Sequence, residues 1–143
     1  MDPYPVLARG WTVKTSSAPG QGATIPVGGL QEITFGFENR DADITVNADN
    51  GVERHIPSRR GVTVRLKGLY LEALQTRDAG QLALETAGFS TGTNAYRNII
   101  IQSPGGTTYA FEAGVKMESL GGPGDEATGW ECTLTRNSVW TIT

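Results

Sequence analysis

His55 is the only histidine in this 143-residue chain and Cys132 the only cysteine, which removes most catalytic constellations at once. No intrachain disulfide, no Cys/His zinc centre and no Ser-His-Asp triad away from His55 can be built from that set. Arg54 stands beside His55, with Arg59 and Arg60 four and five residues on. Such a group could hold a phosphate or activate a nucleophile, but it also describes a solvated hairpin stem, and no second histidine, cysteine pair or phosphate loop supports the chemical reading. Cys132 falls between Trp130 and Leu134 on an apolar alternation, the setting of a small buried hydrophobe rather than a reactive thiol. Glu112, Glu118 and Glu131 could be imagined as acid/base carboxylates, yet Lys116 lies among them and no aromatic sugar platform flanks them, as on a wetted sheet face. The GGPG run at 121–124 precedes a strand rather than a helix N-terminus and reads as a turn. Trp11, Trp130 and Trp140 leave a carbohydrate-binding β-sandwich open as the alternative function. The expectation is a non-enzymatic protein with no cofactor and no metal.

Composition agrees with a β-rich single domain over 1–143. The 19 glycines exceed the usual share of roughly 7%. Charged residues make up only 19% of the chain and apolar residues 38%, so a lone subunit has a thin core and gains from self-association. The net charge of −3 is spread along the sequence, without the dense basic stripe of a nucleic-acid groove. Met1 to Gly10 lacks the apolar core of a secretory signal, and no run approaches the roughly 18 apolar residues of a membrane span. A cytosolic protein when made is therefore expected.

The elements follow from periodicity. Residues 1–28 form a Pro- and Gly-rich irregular arm with a short strand anchored at Trp11 and Val13. Ile33, Phe35 and Phe37 alternate with Glu32, Thr34, Gly36 and Glu38, the period of a half-buried strand. Residues 39–60 read as a projecting hairpin, or an ordinary surface hairpin, with its turn at Asn50-Gly51. Val62, Val64 and Leu66 alternate with Thr63, Arg65 and Lys67, and the apolar phase slips after Gly68, as at a β-bulge. A helix is predicted over 79–87, with Asp78 as N-cap, Gln81 completing a capping box, Leu82 and Ala83 facing inward, and Gly88 as terminator. Ile99 to Ile101 form a strand. Tyr109, Phe111, Ala113, Val115 and Met117 alternate with Ala110, Glu112, Gly114, Lys116 and Glu118 in the next, and strands at 130–135 and 139–143 close a fold of roughly seven strands.

This ordered set resembles the tail tube proteins of tailed bacteriophages. The resemblance is carried by Leu30-Gln31-Glu32-Ile33, the polar hairpin, RRGVTVRLKGLYLE (59–72), TRDAGQLALETA (76–87), RNIIIQSPGG (97–106), TTYAFEAGVKMESLGG (107–122) and WECTLTRNSVWTIT (130–143). It implies a mainly β, two-layer β-sandwich with one flanking α-helix, a structural subunit that forms stacked homo-hexameric rings as a channel for DNA ejection. It also implies a place in the virion tail after assembly in the host cytoplasm, with a tape measure protein in the lumen, and tail terminator and baseplate or tail-tip proteins as further partners. Genome DNA would pass without specific binding, and no membrane is involved.

A conducting wall should be polar and not positive overall. The expected lumen-facing residues are Glu32, Thr34, Glu38, Glu112, Lys116, Glu118, Glu131 and Thr133, and the expected inter-ring hairpin carries Asp41, Asp43, Asp49, Asn50, Gly51, Glu53 and Arg54. The polar faces together hold five acids against three bases. The strand 107–119 and the terminal strand are the expected edges for pairing with a neighbour.

Overall fold

The computed structural model describes residues 10–43, 55–73, 76–138 and 140–143, with the backbone alone for 40–43, 55–60 and 73. Among the described residues ten strands run in chain order: β1 (Thr12–Thr15), β2 (Ile25–Pro26), β3 (Leu30–Asp43), β4 (His55–Leu69), β5 (Glu72–Ala73), β6 (Thr76–Arg77), β7 (Tyr96–Gln102), β8 (Thr108–Gly121), β9 (Gly129–Arg136) and β10 (Thr141–Ile142). The helix α1 (Ala79–Gly88) lies between β6 and β7. The main sheet is antiparallel in the order β2-β1-β7-β8-β9-β4-β3, with β10 beside β8, and β5 and β6 form a small separate ladder.

The sheet curls until its flanks face each other. Trp11, just ahead of β1, meets Phe35 of β3 at a ring separation of 6.0 Å although β1 and β3 are far apart in strand order. The two expected layers are thus parts of one continuous sheet, and α1 flanks it. The core between them takes Val13, Ile99, Ile101, Phe111, Ala113, Val115, Trp130, Cys132, Leu134, Val62, Val64 and Leu66 from the strands and Leu84 and Ala87 from the helix.

The slip expected after Gly68 does not occur in β4, where Gly68 keeps the buried phase of Val62, Val64 and Leu66 and the pairing with β9 runs on unbroken, while Leu71 is exposed; the irregularity sits across the ladder in β3. Leu30 pairs with Gly68 and Glu32 with Lys67, which leaves Gln31 of β3 as the unpaired residue. A side chain at Gly68 would run into the Gly29 carbonyl and stand 2.8 Å from Leu30 Cα, so the two strands cross here only because β4 offers glycine. A second irregularity lies in β8, where Met117 pairs with Cys132 and Ser119 with Glu131, making Glu118 the extra residue. The β3/β4 pairing continues outward to Asp43 opposite His55, and the Asn50-Gly51 turn lies outside the described residues.

The helix begins where expected but presents a different face. Asp78 accepts from the Gln81 backbone N–H at 3.1 Å and from the Gly28 N–H at 3.0 Å, so one carboxylate both caps the helix and ties it to the chain before β3. The Gln81 side chain does not return to close a capping box. Ala83 is buried as expected, but Leu82 is 46% exposed, contrary to the inward face expected for it, and Gly80, Gln81, Leu84, Glu85 and Ala87 complete the buried side. The inner face follows helical spacing, but two of its members are polar, which hid it from a search for apolar residues.

Gly80 is where the helix touches the sheet. A Cβ there would collide with the Pro26 carbonyl and stand 2.6 Å from Val27 Cα, both backbone. Gly80→Ala should therefore destabilise by about 1 to 3 kcal/mol through overpacking, although alanine favours a free helix by about 1 kcal/mol. Urea titration measures this, and an unchanged midpoint would mean that the helix does not dock so closely.

Two expectations about exposure and pairing need correction. Phe37 shares the inward alternation of Ile33 and Phe35 but is 62% exposed, because β3 has run past the covered part of the core. The strand β8 is not an edge along its first half: β7 pairs with residues 108–114 on one side, and β10 pairs with Tyr109 and Ala110 on the other. Among the described residues the long one-sided strand is β3, paired only with β4.

Candidate functional site

Residues directly opposite in an antiparallel ladder share a face, so the pairing register assembles the polar side chains into rows. One row runs Glu32, Lys67, Glu131 and Ser119 across β3, β4, β9 and β8. The next runs Thr34, Arg65, Thr133 and Lys116, and a third runs Gly36, Thr63, Thr135, Gly114 and Tyr96 into β7. Glu38 lies opposite Gly61, and Glu112 opposite Asn98. All eight residues expected on a lumen wall thus belong to a single face that crosses strands from both ends of the chain, Glu118 joining it as the bulge residue.

The face is solvated and internally matched in charge. Arg65 Nε lies 3.5 Å from Glu131 Oε1 and Lys116 Nζ 3.8 Å from Glu118 Oε1. Thr133 donates to Glu118 at 3.0 Å, Thr34 to Glu32 at 3.2 Å, and Asn137 to Glu112 at 2.8 Å. Such exposed pairs contribute at most about 1 kcal/mol each, so their effect is on the surface potential more than on stability. Continuing the face to β1 adds Lys14, opposite Ile100, and the total becomes five carboxylates against four basic groups. Tyr96, half-buried over Gly114, is the aromatic residue on these rows.

The residues that could have carried catalysis are not brought together. Cys132 is fully buried, and burial together with nearby Glu131 pushes its thiol pKa far up, which leaves it unreactive. Glu112, Glu118 and Glu131 each have a polar partner on an open sheet face. His55 is placed by its backbone opposite Asp43, whereas Asp49, Asn50, Gly51, Glu53 and Arg54 lie outside the described residues, as do the side chains of Asp41 and Asp43. GGPG follows β8 into a turn, with Gly121 and Gly122 at positive φ. Among the described residues no group of three metal-ligating side chains occurs.

The polar chemistry that does converge is structural, and sequence reading missed it. Glu85 is 6% exposed and accepts both guanidinium arms of Arg77, at 2.9 and 2.7 Å, while the Trp130 indole N–H donates to it at 2.9 Å. The hydrogen bond to Glu85 raises the Arg77 pKa, and the guanidinium lies 4.0 Å over the Tyr70 ring. Gln81, fully buried, donates to the Gly28 and Leu69 carbonyls and accepts from the Leu71 N–H. These bonds fasten α1 to β4, to β9 and to the segment just before β3, the strands that carry the polar face. The only sequence signal was the helical spacing of Gln81 and Glu85. Arg97, also buried, donates to the Asn94 and Tyr96 carbonyls, and burial lowers its pKa.

No protein-family model matches this sequence, and no curated protein matches it significantly. Solved structures share the fold. The chain is similar to one in the tail of an empty gene transfer agent particle reconstructed with C6 symmetry, at a TM-score of 0.72 and 12% identity over 97% of this chain and 99% of that one. It is also similar to a chain of the native gene transfer agent virion, at a TM-score of 0.67 and 12% identity over 97% and 99%. A chain of the six-fold symmetrised baseplate of the anti-feeding prophage matches at a TM-score of 0.57 and 13% identity, over 100% of this chain and 97% of that one.

Proposed function

We propose that the protein is the structural subunit of a phage-type tail tube, forming hexameric rings that stack into the channel for DNA, with the polar rows facing the lumen. The observation that carries this reading is the continuous, charge-matched face across six strands, on a fold shared with chains of six-fold tail assemblies. A wall of this composition lets a polyanion pass, since it offers neither a basic stripe nor a row of exposed aromatics for bases to stack on. The lumen residues would be Glu32, Thr34, Glu38, Glu112, Lys116, Glu118, Glu131 and Thr133.

Ring closure would cover the one-sided strand β3, whose unpaired backbone groups are otherwise open to uncontrolled pairing. Heterologous contacts that close make a ring, and a second stacking surface then makes a tube. In this reading the hairpin of residues 39–60 bridges stacked rings. A tape measure protein occupies the lumen during assembly, terminator and baseplate or tail-tip proteins bind the ends, and the chain has no enzymatic role. Sedimentation and negative-stain imaging at rising protein concentration, with and without a purified tail-tip nucleus, should show six-fold rings or tubes. A monomer under all these conditions, and above all a monomer that binds glycans, would contradict the proposal.

A further inference from the structure

Two arginines are largely enclosed, and only one of them has an anion. Arg77 is held on both arms by Glu85, and that bond raises its pKa. Arg97 lies on β7 in the same inward phase as Ile99 and Ile101 and is 4% exposed. Burial lowers its pKa, and no carboxylate among the described residues offsets the shift.

The hydrogen bonds of Arg97 define which edge of the guanidinium is left over. Nη1 donates to the Asn94 carbonyl at 2.9 Å and to the Tyr96 carbonyl at 2.8 Å, which clamps the planar group against the short 3-10 turn Gly92–Ala95 ahead of β7. Nε is buried without an acceptor, while Nη2 makes no hydrogen bond among the described residues but is not enclosed. Nε–H and the nearer Nη2–H point the same way, forming the side-on fork that takes both oxygens of a carboxylate. A charged donor left unfilled at this depth is costly, so a carboxylate arriving from outside gains more here than at an exposed arginine.

The chain has acids to supply it. Asp125 and Glu126 stand exposed in the turn between β8 and β9, and neither side chain has a partner among the described residues, whereas Glu112, Glu118 and Glu131 on the sheet face do. The turn and Arg97 lie at the same end of the sheet: β7 begins with Tyr96 opposite Gly114, and β8 runs on from there to Gly121 and into the turn. Past Gly114, among the described residues, no strand flanks β8 on the β7 side, which leaves an open step beside Arg97. Side-by-side copies related by rotation keep matching ends level and bring the turn of one copy to the open step of the next.

We propose that the Nε and Nη2 edge of Arg97 is a carboxylate site, filled on self-association by Asp125 or Glu126 in the β8–β9 turn of a second copy. This rests on the self-association proposed above and adds to it a contact that locks one copy to the next.

Two full-length variants test it by light scattering over a concentration series, with circular dichroism to check the fold. Asp125→Asn with Glu126→Gln alters only an exposed turn and removes its charge. Arg97→Lys keeps a cation that can reach the same carbonyls but has no fork. If that variant fails to fold, Arg97→Met takes its place. Each change should raise the concentration at which assembly begins by about tenfold or more, the usual consequence of breaking a desolvated charge pair. The two combined should do no more than either alone, because they break one contact. Assembly of the turn variant at the parent's concentration would overturn the proposal, and so would effects that multiply, since the two sites would then act separately. A parent that stays monomeric throughout would overturn the self-association reading too, whereas an assembling parent with an unaffected turn variant overturns this contact alone.

Discussion

Glu85→Ala should destabilise the subunit by about 3 to 5 kcal/mol, the usual result of removing one partner from a buried ion pair. The carboxylate is nearly enclosed and takes three hydrogen bonds, two from Arg77 and one from Trp130. Its loss leaves a guanidinium whose side chain is 16% exposed and an indole N–H with no acceptor. Arg77 can turn partly to water along the Tyr70 face, which favours the lower end of the range. For a chain of this length the melting temperature should fall by roughly 10 °C. Glu85→Gln, which can still accept from Trp130, should fall between the two. Chemical denaturation followed by tryptophan fluorescence reads both variants, and a loss under about 1 kcal/mol for alanine would mean that the Glu85 cluster adds little to the hold that Gln81, Asp78 and the apolar face already give α1.

Glu112→Lys with Glu118→Lys should leave stability nearly unchanged and turn the sheet face into a DNA binder. Both glutamates are on the solvated side, and their partners are neutral or exposed, so each change should cost under about 0.5 kcal/mol. The electrostatic effect is larger. Two reversals remove two negative charges and add two positive ones, a shift of +4 in net charge per subunit repeated around any ring, and each phosphate neutralised adds roughly 0.9 to the slope of log affinity against log salt. Assembled variant particles should retain labelled duplex DNA at 50 mM salt and release it steeply by about 200 mM, while the parent retains none at either. Equal, salt-independent behaviour of the two would remove these residues from the channel wall.

Much of the fold was legible because alternation survives in β4, β8 and β9, each wet on one side and buried on the other, and more weakly in β3, whose inner residues Ile33 and Phe35 are half-buried. The helix could be located from Asp78 and Gly88, but its orientation could not. Gln81 and Glu85 occupy core-facing positions because their partners, the Leu69 carbonyl and Arg77, are fixed only once the chain has folded. Leu82 looked like core and faces out. The β8 bulge at Glu118 was invisible because Glu118 and Ser119 are both polar, so the slip leaves no mark in an apolar pattern. The pairing edges were only partly legible because strand order depends on non-local contacts: β10 returns to the first half of β8 from the far end of the chain, and among the described residues β10 and β3 are each paired on one side only. The polar face itself was predicted strand by strand, and the register then joined those strands into rows.

A reconstruction of the assembled protein by electron cryomicroscopy tests the central claim most directly. The account predicts a six-fold ring whose inner surface carries Glu32, Thr34, Thr133, Lys116 and Glu112, with β3 hydrogen-bonded to the neighbouring subunit. A ring whose polar rows face outward, with the lumen formed by α1, would contradict it.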